Sequence, residues 1–474
     1  MAAEAYPLVK TGGLGDVVGA LPSALARLGA DVRVMIPAYG GVVEAIGTTA
    51  AGSALGPLLP GFSARLLYSR ELTSGVPLML VDCPDLYQRK GGPYQNAGGT
   101  EWPDNHLRFG LLARAAALVS IAGELSGWRP DIVHVHDWHT GLVPVYLKAW
   151  GGPVPRTVLT VHNMAYQGLF AAGTLGPLAL PRESFAPEGL EFWGQVSFLK
   201  AGLVYADRIT MVSPTYAREV RQAPAGEGLE GVLATREKDI VGIVNGIDDT
   251  IWNPSIDNMI VQTFSPSTLT QKHENKIALC RELSLDLQKN EPVIGIVGRL
   301  VPQKGIDLVL KALSNIIALG AKVAILGTGD TSLEKALRAA AKELLGSVAV
   351  RCAYDETLAH RIMAGSDMLM MPSRYEPCGM TQLYAQRYGT LPIVRRVGGL
   401  ADTVHDGEDG FTFDAATPEA LVETFQRALK SYQQSQTWRK LQARCMAKDS
   451  SWDARAGEYL ELYKSLINAS VERQ

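Results

Sequence analysis

The sequence predicts an α/β protein built from two Rossmann-like, doubly wound domains that follow one another along the chain. At 474 residues the chain is too long for a single ordinary core, so two or three domains are expected. Short runs rich in β-branched residues alternate with longer helix-like segments, which is the pattern of parallel sheets covered by helices. Polar residues directly follow several predicted strands, at the edge where open α/β sheets bind their ligands.

The strands can be placed from their apolar runs, taken in chain order. In the first half of the chain the predicted strands are residues 31–36, 76–82, 131–136, 156–161 and 208–213. In the second half they are residues 239–244, 292–297, 321–326, 348–352, 367–371 and 391–394. A cluster of Asn, Gly, Asp and Pro follows Val244, so we place the domain boundary near residue 240, to within about ten residues.

Composition and charge narrow the class of protein. The chain is 47% hydrophobic and 20% charged, which is typical of a soluble globular protein, and its formal net charge of -3 gives no broad attraction to nucleic acid or anionic lipid. No run is long and apolar enough to cross a bilayer, and the first residues lack the apolar core of a secretory signal. The five cysteines are scattered without a CxxC pair. We therefore expect a cytoplasmic protein with reduced thiols that binds neither nucleic acid nor membrane.

A glycine-rich turn at residues 10–13 runs directly into an amphipathic helix. Its backbone N–H groups would lie at a helix start, and Gly12 and Gly13 have no side chains that would keep a phosphate away. Lys10 adds a positive charge beside them. The turn is neither a GxGxxG nor a Walker sequence, so an ordinary tight turn explains it equally well.

The second half of the chain carries its own candidate anion site. Arg299 and Lys304 stand five residues apart around the turn GRLVPQKG, and Gly398 and Gly399 precede another predicted helix. Two cations and a helix start would hold a diphosphate and stabilise it as it leaves. The alternative is a solvated Arg and Lys on a surface loop.

The stretch RYEPCGM places an acid, Glu376, at a predicted helix start. Pro377 suits the first helical position, and the helix dipole favours a carboxylate just before it, so a surface charge is the alternative to a binding group. His134 and His136 alternate along a strand without further ligands at a recognisable spacing, so we expect core histidines and no metal. The other polar residues that directly follow predicted strands are Asp137, Trp138, His162, Asn163, Asn245 and Tyr354.

Taken together, these motifs resemble those of the glycogen and starch synthase family of retaining glycosyltransferases, in the family's order and spacing. The matching motifs are KTGGLGDVVGALP, HVHDWHTGL, TVHNMAYQG, VNGID, GRLVPQKG, SRYEPCGMTQLYAQRYGTLPIV and GGLADTV. The resemblance implies a GT-B fold, in which two Rossmann-like domains face each other across a deep cleft. It assigns the glucan acceptor to residues 1–240 and the nucleotide sugar to residues 241–455, with residues 456–474 as a helix that crosses back to the first domain.

The resemblance also implies a reaction and a set of site residues. Glucose would move from ADP-glucose to the 4-hydroxyl at the non-reducing end of an α-1,4-glucan such as glycogen, with retention and without a metal or other cofactor. The residues implied to act on the transferred glucose and the leaving diphosphate are Asp137, His162, Arg299, Lys304 and Glu376. Those implied to bind the substrates are Lys10, Gly12, Gly13, Tyr94, Asn163, Asn245, Tyr354, Cys378, Gly379, Gly399 and Leu400.

Within that set the resemblance gives some residues finer roles. Tyr354 would stack on adenine, Tyr94 would face the acceptor, and the backbone of Gly399 and Leu400 would assist the diphosphate. Glu376 would first position sugar hydroxyls. Whether it also stabilises positive charge or attacks as a nucleophile is left open by the sequence, and we favour front-face transfer in which the departing phosphate takes the acceptor's proton.

The chain departs from the family pattern at two places. Family members usually begin with a short strand before the motif matching AAEAYPLVK, and nearly all of that strand is missing here. Either the start is truncated or misassigned, or the first domain is weakened by unpaired backbone groups. Val397 stands where the family often has Thr, so one hydroxyl contact to phosphate is expected to be lost.

Three other classes of protein are alternatives to this family. An oxidoreductase is disfavoured because no GxGxxG is followed by an acid about twenty residues later. A glucan phosphorylase or another GT-B glucosyltransferase would share the fold, although a phosphorylase needs a lysine-bound pyridoxal phosphate. A glucan-binding protein without catalytic activity would bind glycogen but release no ADP.

Overall fold

The computed structural model describes residues 1–46, 50–72, 75–123 and 127–471. The chain divides into two compact units. The first unit comprises Met1–Gly246 with Trp452–Gln474, and the second comprises Ile247–Ser451. The division therefore follows Gly246, a few residues beyond the boundary placed near residue 240.

The first unit contains two four-stranded sheets and one small three-stranded sheet. Its strands are β1 Val34–Pro37, β2 Ala50–Leu59, β3 Phe62–Leu72, β4 Val76–Asp82, β5 Ile132–His136, β6 Arg156–Val161, β7 Leu169–Ala171, β8 Glu191–Phe192, β9 Gln195–Ser197, β10 Arg208–Met211 and β11 Ile240–Gly242. Their orders are β1-β4-β3-β2, β11-β10-β6-β5 and β7-β9-β8. The second of these sheets is parallel throughout.

The helices of this unit cover its sheets. They are α1 Gly13–Arg27, α2 Gly40–Ile46, α3 Pro84–Tyr87, α4 Asn105–Ala122, α5 Val143–Trp150, α6 Phe198–Tyr205, α7 Pro214–Glu219, α8 Glu230–Thr235 and, from the end of the chain, α17 Trp452–Val471. Helices α1 and α17 share a buried cluster that includes Val17, Leu21, Trp452 and Tyr459. Helix α17 thus belongs to the first unit. Residues 472–474 of the predicted final helix lie outside the described residues.

The first residues of the chain lie between two sheet edges. The terminal amine of Met1 donates to the carbonyl of His134 at 2.8 Å, and the N–H of Ala2 donates to the carbonyl of Met35 at 3.1 Å. Ala2 and Ala5 have no exposed surface. One carbonyl on each edge strand, β1 and β5, therefore has a partner from this segment.

The second unit is a six-stranded parallel sheet of doubly wound topology. Its strands are β12 Val293–Val297, β13 Lys322–Leu326, β14 Val348–Arg351, β15 Met368–Met371, β16 Leu391–Arg395 and β17 Phe411–Phe413. The order β14-β13-β12-β15-β16-β17 reverses direction between β12 and β15. Its helices are α9 Lys272–Leu283, α10 Ile306–Ala318, α11 Thr331–Glu343, α12 Glu356–Gly365, α13 Thr381–Arg387, α14 Gly398–Thr403, α15 Pro418–Tyr432 and α16 Ser435–Ala447.

Every predicted strand is present, with ends shifted by at most a few residues, and the α/β class with two parallel-sheet units is confirmed. The long antiparallel pair β2 and β3 was not predicted, and neither were β7, β8, β9 and β17. Among the described residues, no helix combines the length and the apolar character needed to cross a membrane.

Candidate active site

The site of the second unit lies where the strand order reverses. Strands β12 and β15 are neighbours in the sheet, and the chain leaves them in opposite directions along it. In an open parallel sheet the loops after two such strands diverge and leave a crevice at their carboxyl ends. The loop after β12 carries Arg299 and Lys304, and the loop after β15 carries Glu376. The topology thus brings the predicted cations and the predicted acid to the same crevice.

Lys304 and Glu376 form an ion pair in this crevice. The Lys304 Nζ lies 2.5 Å from Glu376 Oε2, and the hydroxyl of Ser373 donates to the same oxygen at 3.0 Å. Glu376 is 5% exposed and Ser373 is fully buried. Of the described residues, none forms a hydrogen bond with Glu376 Oε1, so this second oxygen remains available to a ligand. Glu376 is therefore not the surface acid of the alternative interpretation.

A glycine allows the lysine loop to approach the acid loop. Lys304 ends a short 3₁₀ turn, and Gly305 follows it at φ +69°. A Cβ on Gly305 would lie 2.1 Å from the carbonyl oxygen of Pro372, which no real contact allows. Only glycine combines this positive φ with so close an approach to the end of β15.

The glycine pair that begins α14 supports the loop of residues 376–379, which we call the EPCG loop. The N–H of Gly399 donates to the Glu376 carbonyl at 3.0 Å, and the N–H of Leu400 donates to Val397 at 3.0 Å. A Cβ on Gly399 would lie 2.2 Å from the Cys378 carbonyl oxygen. The two backbone donors predicted for phosphate thus already have acceptors, which a phosphate would have to share. Val397 makes no side-chain cap at this helix start.

The remaining predicted residues of this unit lie nearer the surface. Arg299 is exposed, and its guanidinium donates to Gln303 Oε1 at 3.0 Å. Tyr354, after β14, is 76% exposed. Strands β14 and β15 are three spacings apart in the sheet, or about 14 Å. Cys378 is buried, and Gly379 has a φ of +74° that glycine accommodates without strain.

In the first unit, polar residues gather at the carboxyl ends of β5 and β6. Asp137 accepts the backbone N–H of His162 at 2.7 Å, and His162 Nε2 lies 3.1 Å from His136 Nδ1. Burial raises the pKa of Asp137 to about 7, while burial lowers the pKa of His162 to about 3. His162 is therefore a neutral imidazole at physiological pH.

Asn163 and Asn245 follow two strand ends of the same sheet, those of β6 and β11. Asn163 accepts the N–H of Ala165 through its side-chain oxygen at 3.0 Å. Asn245 is 4% exposed, and its Oδ1 has no hydrogen-bond partner within the described part of the chain. An unsatisfied buried amide oxygen is unfavourable unless a ligand or water supplies a donor.

His134 is held inside the first unit by hydrogen bonds to both of its ring nitrogens. The two ring nitrogens of His134 bond the hydroxyls of Tyr463 at 2.7 Å and Thr160 at 2.6 Å. In the described part of the chain, no group of three or more His, Cys, Asp or Glu side chains is arranged to hold a metal ion.

Glu4 is a buried residue of this unit that the sequence did not indicate as part of the site. Glu4 is 2% exposed, and its carboxylate accepts hydrogen bonds from Thr11, Gly12 and the Tyr94 hydroxyl. The Tyr94 ring stacks on His139 with centroids 4.8 Å apart. The only sequence signal for Glu4 is an acid within the otherwise apolar run AAEAY.

The glycine-rich turn is exposed at its two glycines. Gly12 and Gly13 are exposed, and Gly13 is the first residue of α1. The Lys10 Nζ lies 2.7 Å from Asp16 Oδ1, so the predicted cation is tied to the first turn of that helix.

The buried histidines make stability depend on pH. Burial lowers the pKa of His139 from 6.5 to about 3. As the pH falls, the unfolded chain therefore binds a proton at this residue before the folded chain does. A neutral His139 makes its full contribution to the free energy of unfolding above pH 6.5, and this contribution is lost as the pH falls toward 3. Asp137 acts in the opposite direction, because its raised pKa destabilises the fold as pH rises from 3.8 toward 7.

We expect His139→Gln to weaken this pH dependence. Between about pH 7.5 and about pH 5.5, the free energy of unfolding should fall by about 1.4 kcal/mol less in the variant than in the wild type. Urea unfolding at the two pH values measures the difference. His273→Gln, which changes an exposed histidine of the second unit, is the control and should follow the wild type. Parallel loss in all three proteins would contradict the assignment.

Known proteins are similar to this chain over nearly its whole length. The family model described as starch synthase catalytic domain matches residues 1–235, and that described as glycosyl transferases group 1 matches residues 283–444. A glycogen synthase of Rhodospirillum rubrum is 48% identical, covering 99% of this chain and 98% of its own. One from Paramagnetospirillum magneticum is 48% identical, covering 98% and 96%.

Two solved structures share the fold. The catalytic domain of starch synthase IV from Arabidopsis thaliana, solved with ADP and acarbose, is 32% identical, with a TM-score of 0.88 and 98% of each chain covered. Sucrose-phosphate synthase from Thermosynechococcus elongatus is 20% identical, with a TM-score of 0.61 and 99% of each chain covered, and this likeness concerns the fold alone.

Proposed function

Since this chain belongs to the glycogen and starch synthase family of glycosyltransferases, we propose that it transfers glucose from ADP-glucose to the 4-hydroxyl at the non-reducing end of an α-1,4-glucan. The anomeric configuration is retained in this proposal. The observation that supports it is the Lys304–Glu376 pair in the crevice at the carboxyl ends of β12 and β15. In this proposal Lys304 binds phosphate and the neighbouring Glu376 binds the sugar.

Lys304 and Arg299 bind the diphosphate of the donor. A lysine ammonium has three N–H donors, and Glu376 occupies one direction, so Lys304 can bind phosphate while it remains paired. Arg299 is exposed on the same loop and offers a planar fork of donors. When the diphosphate leaves it carries additional negative charge, which the two cations stabilise in the transition state.

Glu376 positions the glucose ring through its second oxygen. Lys304 and Ser373 hold Oε2, so Oε1 accepts sugar hydroxyls. The carboxylate also places negative charge near an anomeric carbon that becomes positive. In this front-face transfer the bond from C1 to the phosphate oxygen breaks, the bond from C1 to the acceptor O4 forms on the same face, and the acceptor's proton passes to the leaving phosphate.

The first unit supplies further contacts to the sugars. The neutral His162, with Asp137 holding its backbone N–H, donates or accepts a hydrogen bond without adding charge. The unsatisfied Asn245 Oδ1 accepts from a hydroxyl. Tyr94 faces the acceptor glucan, which is the role that the family resemblance implies for it.

The nucleoside lies toward β14. A ligand that reaches from Glu376 to the exposed Tyr354 spans about 14 Å, which suits an extended nucleotide sugar. Stacking of a base on an exposed aromatic ring contributes about 1–3 kcal/mol and tolerates any base. The preference for adenine thus rests on the family rather than on this ring.

The five cysteines are free thiols in the structure, which supports a reducing, cytoplasmic location. The proposed partners are ADP-glucose and a glycogen primer, with no resident metal or other cofactor.

Parallel assays with ADP-glucose and UDP-glucose, each with glycogen, test the proposal. We expect nucleotide release with both donors to depend on the primer and ADP-glucose to be at least roughly tenfold faster. Equal or faster turnover of UDP-glucose would overturn the choice of nucleotide. Glycogen binding without nucleotide release from either donor would favour the non-catalytic alternative.

We expect Ser373→Ala to lower kcat by roughly tenfold, with the KM for the donor changed less than about threefold, since the loss of one hydrogen bond to a carboxylate corresponds to about 1.4 kcal/mol. Ser373→Thr, which keeps the hydroxyl, should restore part of the rate. Ser366→Ala is the control, because Ser366 is also fully buried and its hydroxyl has no partner in the described residues. Equal kcat in Ser373→Ala and Ser366→Ala would contradict a positioning role.

A further inference from the structure

The carboxylate of Glu4 is a point where two loops of the first unit meet. Its Oε2 accepts the backbone N–H groups of Thr11 at 2.5 Å and Gly12 at 3.3 Å. Its Oε1 accepts the Thr11 hydroxyl at 2.5 Å and the Tyr94 hydroxyl. Each carboxylate oxygen therefore accepts two hydrogen bonds, and the two donors to Oε1, Thr11 and Tyr94, are 83 positions apart in the chain.

The first of these loops is the turn of residues 10–13, the KTGG turn. It leads into α1, and its glycines are exposed. The N–H groups of Thr11 and Gly12 point inward to Glu4, so this carboxylate fixes the direction of the turn's backbone. Lys10 is held at the other side by Asp16.

The second loop, residues 91–105, holds Tyr94 in a fixed place. The Tyr94 carbonyl accepts the N–H of Trp102 at 3.0 Å and the side-chain amide of Asn105 at 3.0 Å. The ring stacks on His139. Burial, and after it the charge of Glu4, raises the pKa of Tyr94 well above its ordinary value, so the phenol stays protonated and donates.

Burying a carboxylate is unfavourable unless hydrogen bonds replace its water, and four donors do so here. A shared acceptor makes the donors interdependent. Displacement of the Tyr94 hydroxyl leaves Oε1 with the Thr11 hydroxyl as its one remaining donor, so the orientation of the carboxylate, and with it the backbone of the turn, is less restricted. The state of one loop is thus transmitted to the other through a single side chain.

We propose that Glu4 is a positioning residue that couples the acceptor-side Tyr94 to the KTGG turn, so that a glucan bound against Tyr94 stabilises the turn in the form that contacts the donor. This coupling rests on the proposed function for the identity of the two ligands. Glu4 touches neither substrate and acts through Thr11, Gly12 and Tyr94.

Amide hydrogen exchange of the free protein tests the coupling without any turnover. Tyr94→Phe removes one hydroxyl and changes no atom of the KTGG turn itself, yet exchange at Thr11 and Gly12 should become roughly fivefold faster. Glu4→Gln, which keeps the size but only one acceptor oxygen, should accelerate exchange there roughly tenfold or more. Glu101→Gln makes the same chemical change at an exposed position of the Tyr94 loop and should leave exchange at Thr11 and Gly12 unchanged.

Kinetics of the same variants test its consequence. Tyr94→Phe should raise KM for both the glucan and ADP-glucose, and Glu4→Gln should lower kcat/KM for both by roughly tenfold. The fold-loss of kcat/KM in the double variant should be smaller than the product of the two single fold-losses, because both changes break the same connection between the loops.

Unchanged exchange at Thr11 and Gly12 in Tyr94→Phe would overturn the coupling, even if Glu4→Gln fails to fold. Independent, multiplicative kinetic effects would overturn it as well. If the variants show the expected exchange pattern but the wild-type protein transfers no glucose, the proposed function is overturned and the connection between the loops stands.

Discussion

Lys304→Ala is expected to lower kcat for glucosyl transfer by roughly 100-fold or more. A preorganised cation on a leaving group contributes about 3 kcal/mol in the transition state, similar to one donor of an oxyanion hole. Arg299 remains and keeps part of the donor affinity, so KM for ADP-glucose should rise much less than kcat falls. The rate is measured as ADP release at saturating donor and glycogen.

The variant has a second expected effect, on stability. Without Lys304 the buried Glu376 retains only the Ser373 hydroxyl as a donor, so the free energy of unfolding should fall. The double variant Lys304→Ala/Glu376→Gln also removes the buried negative charge, so it should regain stability while glucosyl transfer stays lost. Lys311→Ala, at an exposed lysine of α10, is the matched control and should change neither quantity. A kcat within about threefold of the wild type in Lys304→Ala would contradict the assignment.

Glu376→Ala is expected to have the largest effect, a loss in kcat of roughly 1,000-fold. The variant loses both the hydrogen bonds to sugar hydroxyls and the negative charge beside the anomeric carbon. Glu376→Gln keeps hydrogen bonding but not the charge, so its kcat should lie between those of the wild type and the alanine variant. Glu408→Gln, an exposed acid of the same unit, is the control.

Mass spectrometry of the wild type, together with the alanine variant, separates the chemical roles of this acid. In front-face transfer no covalent glucosyl-enzyme forms, so mass spectrometry of the wild type during turnover should show only unmodified protein. A glucosyl adduct on Glu376 would show that it is the nucleophile and would overturn the front-face mechanism. Near-normal turnover in Glu376→Ala would remove it from the reaction altogether.

The parallel sheets could be predicted because their strands are buried on both faces. Such strands are continuous apolar runs, as in VIGIV and RTVLTV, and turn residues bound them. The pair β2 and β3 was missed because residues 50–59 are mostly Ala, Gly, Ser and Pro, which have low strand propensity. Strands β7, β8, β9 and β17 have two or three residues each, too few to show any periodicity.

The location of the candidate site could be predicted from strand ends, but its contacts could not. The rule that ligands bind beyond the carboxyl ends of strands was enough to select Lys304 and Glu376. That both Lys304 and Ser373 bond the same oxygen of Glu376 depends on side-chain directions that only coordinates supply. Glu4 was missed for the same reason, since its donors come from two separate loops.

The glycine pair that begins α14 has a second role in the structure. The family resemblance implies that the backbone N–H groups of Gly399 and Leu400 assist the diphosphate. In the structure they bond the carbonyls of Glu376 and Val397, because the turn packs against the EPCG loop. A glycine pair at a helix start therefore indicates close backbone approach, whether the neighbour is a ligand or the protein itself.

The central claim is that this chain couples the release of a nucleoside diphosphate to the growth of an α-glucan. The most direct measurement follows ADP release and the incorporation of labelled glucose into glycogen in one reaction. We predict one glucose incorporated for each ADP released, and complete recovery of the label by an enzyme that cleaves only α-1,4 linkages. ADP released with free glucose as the product, or no release at all with primer present, would contradict the claim.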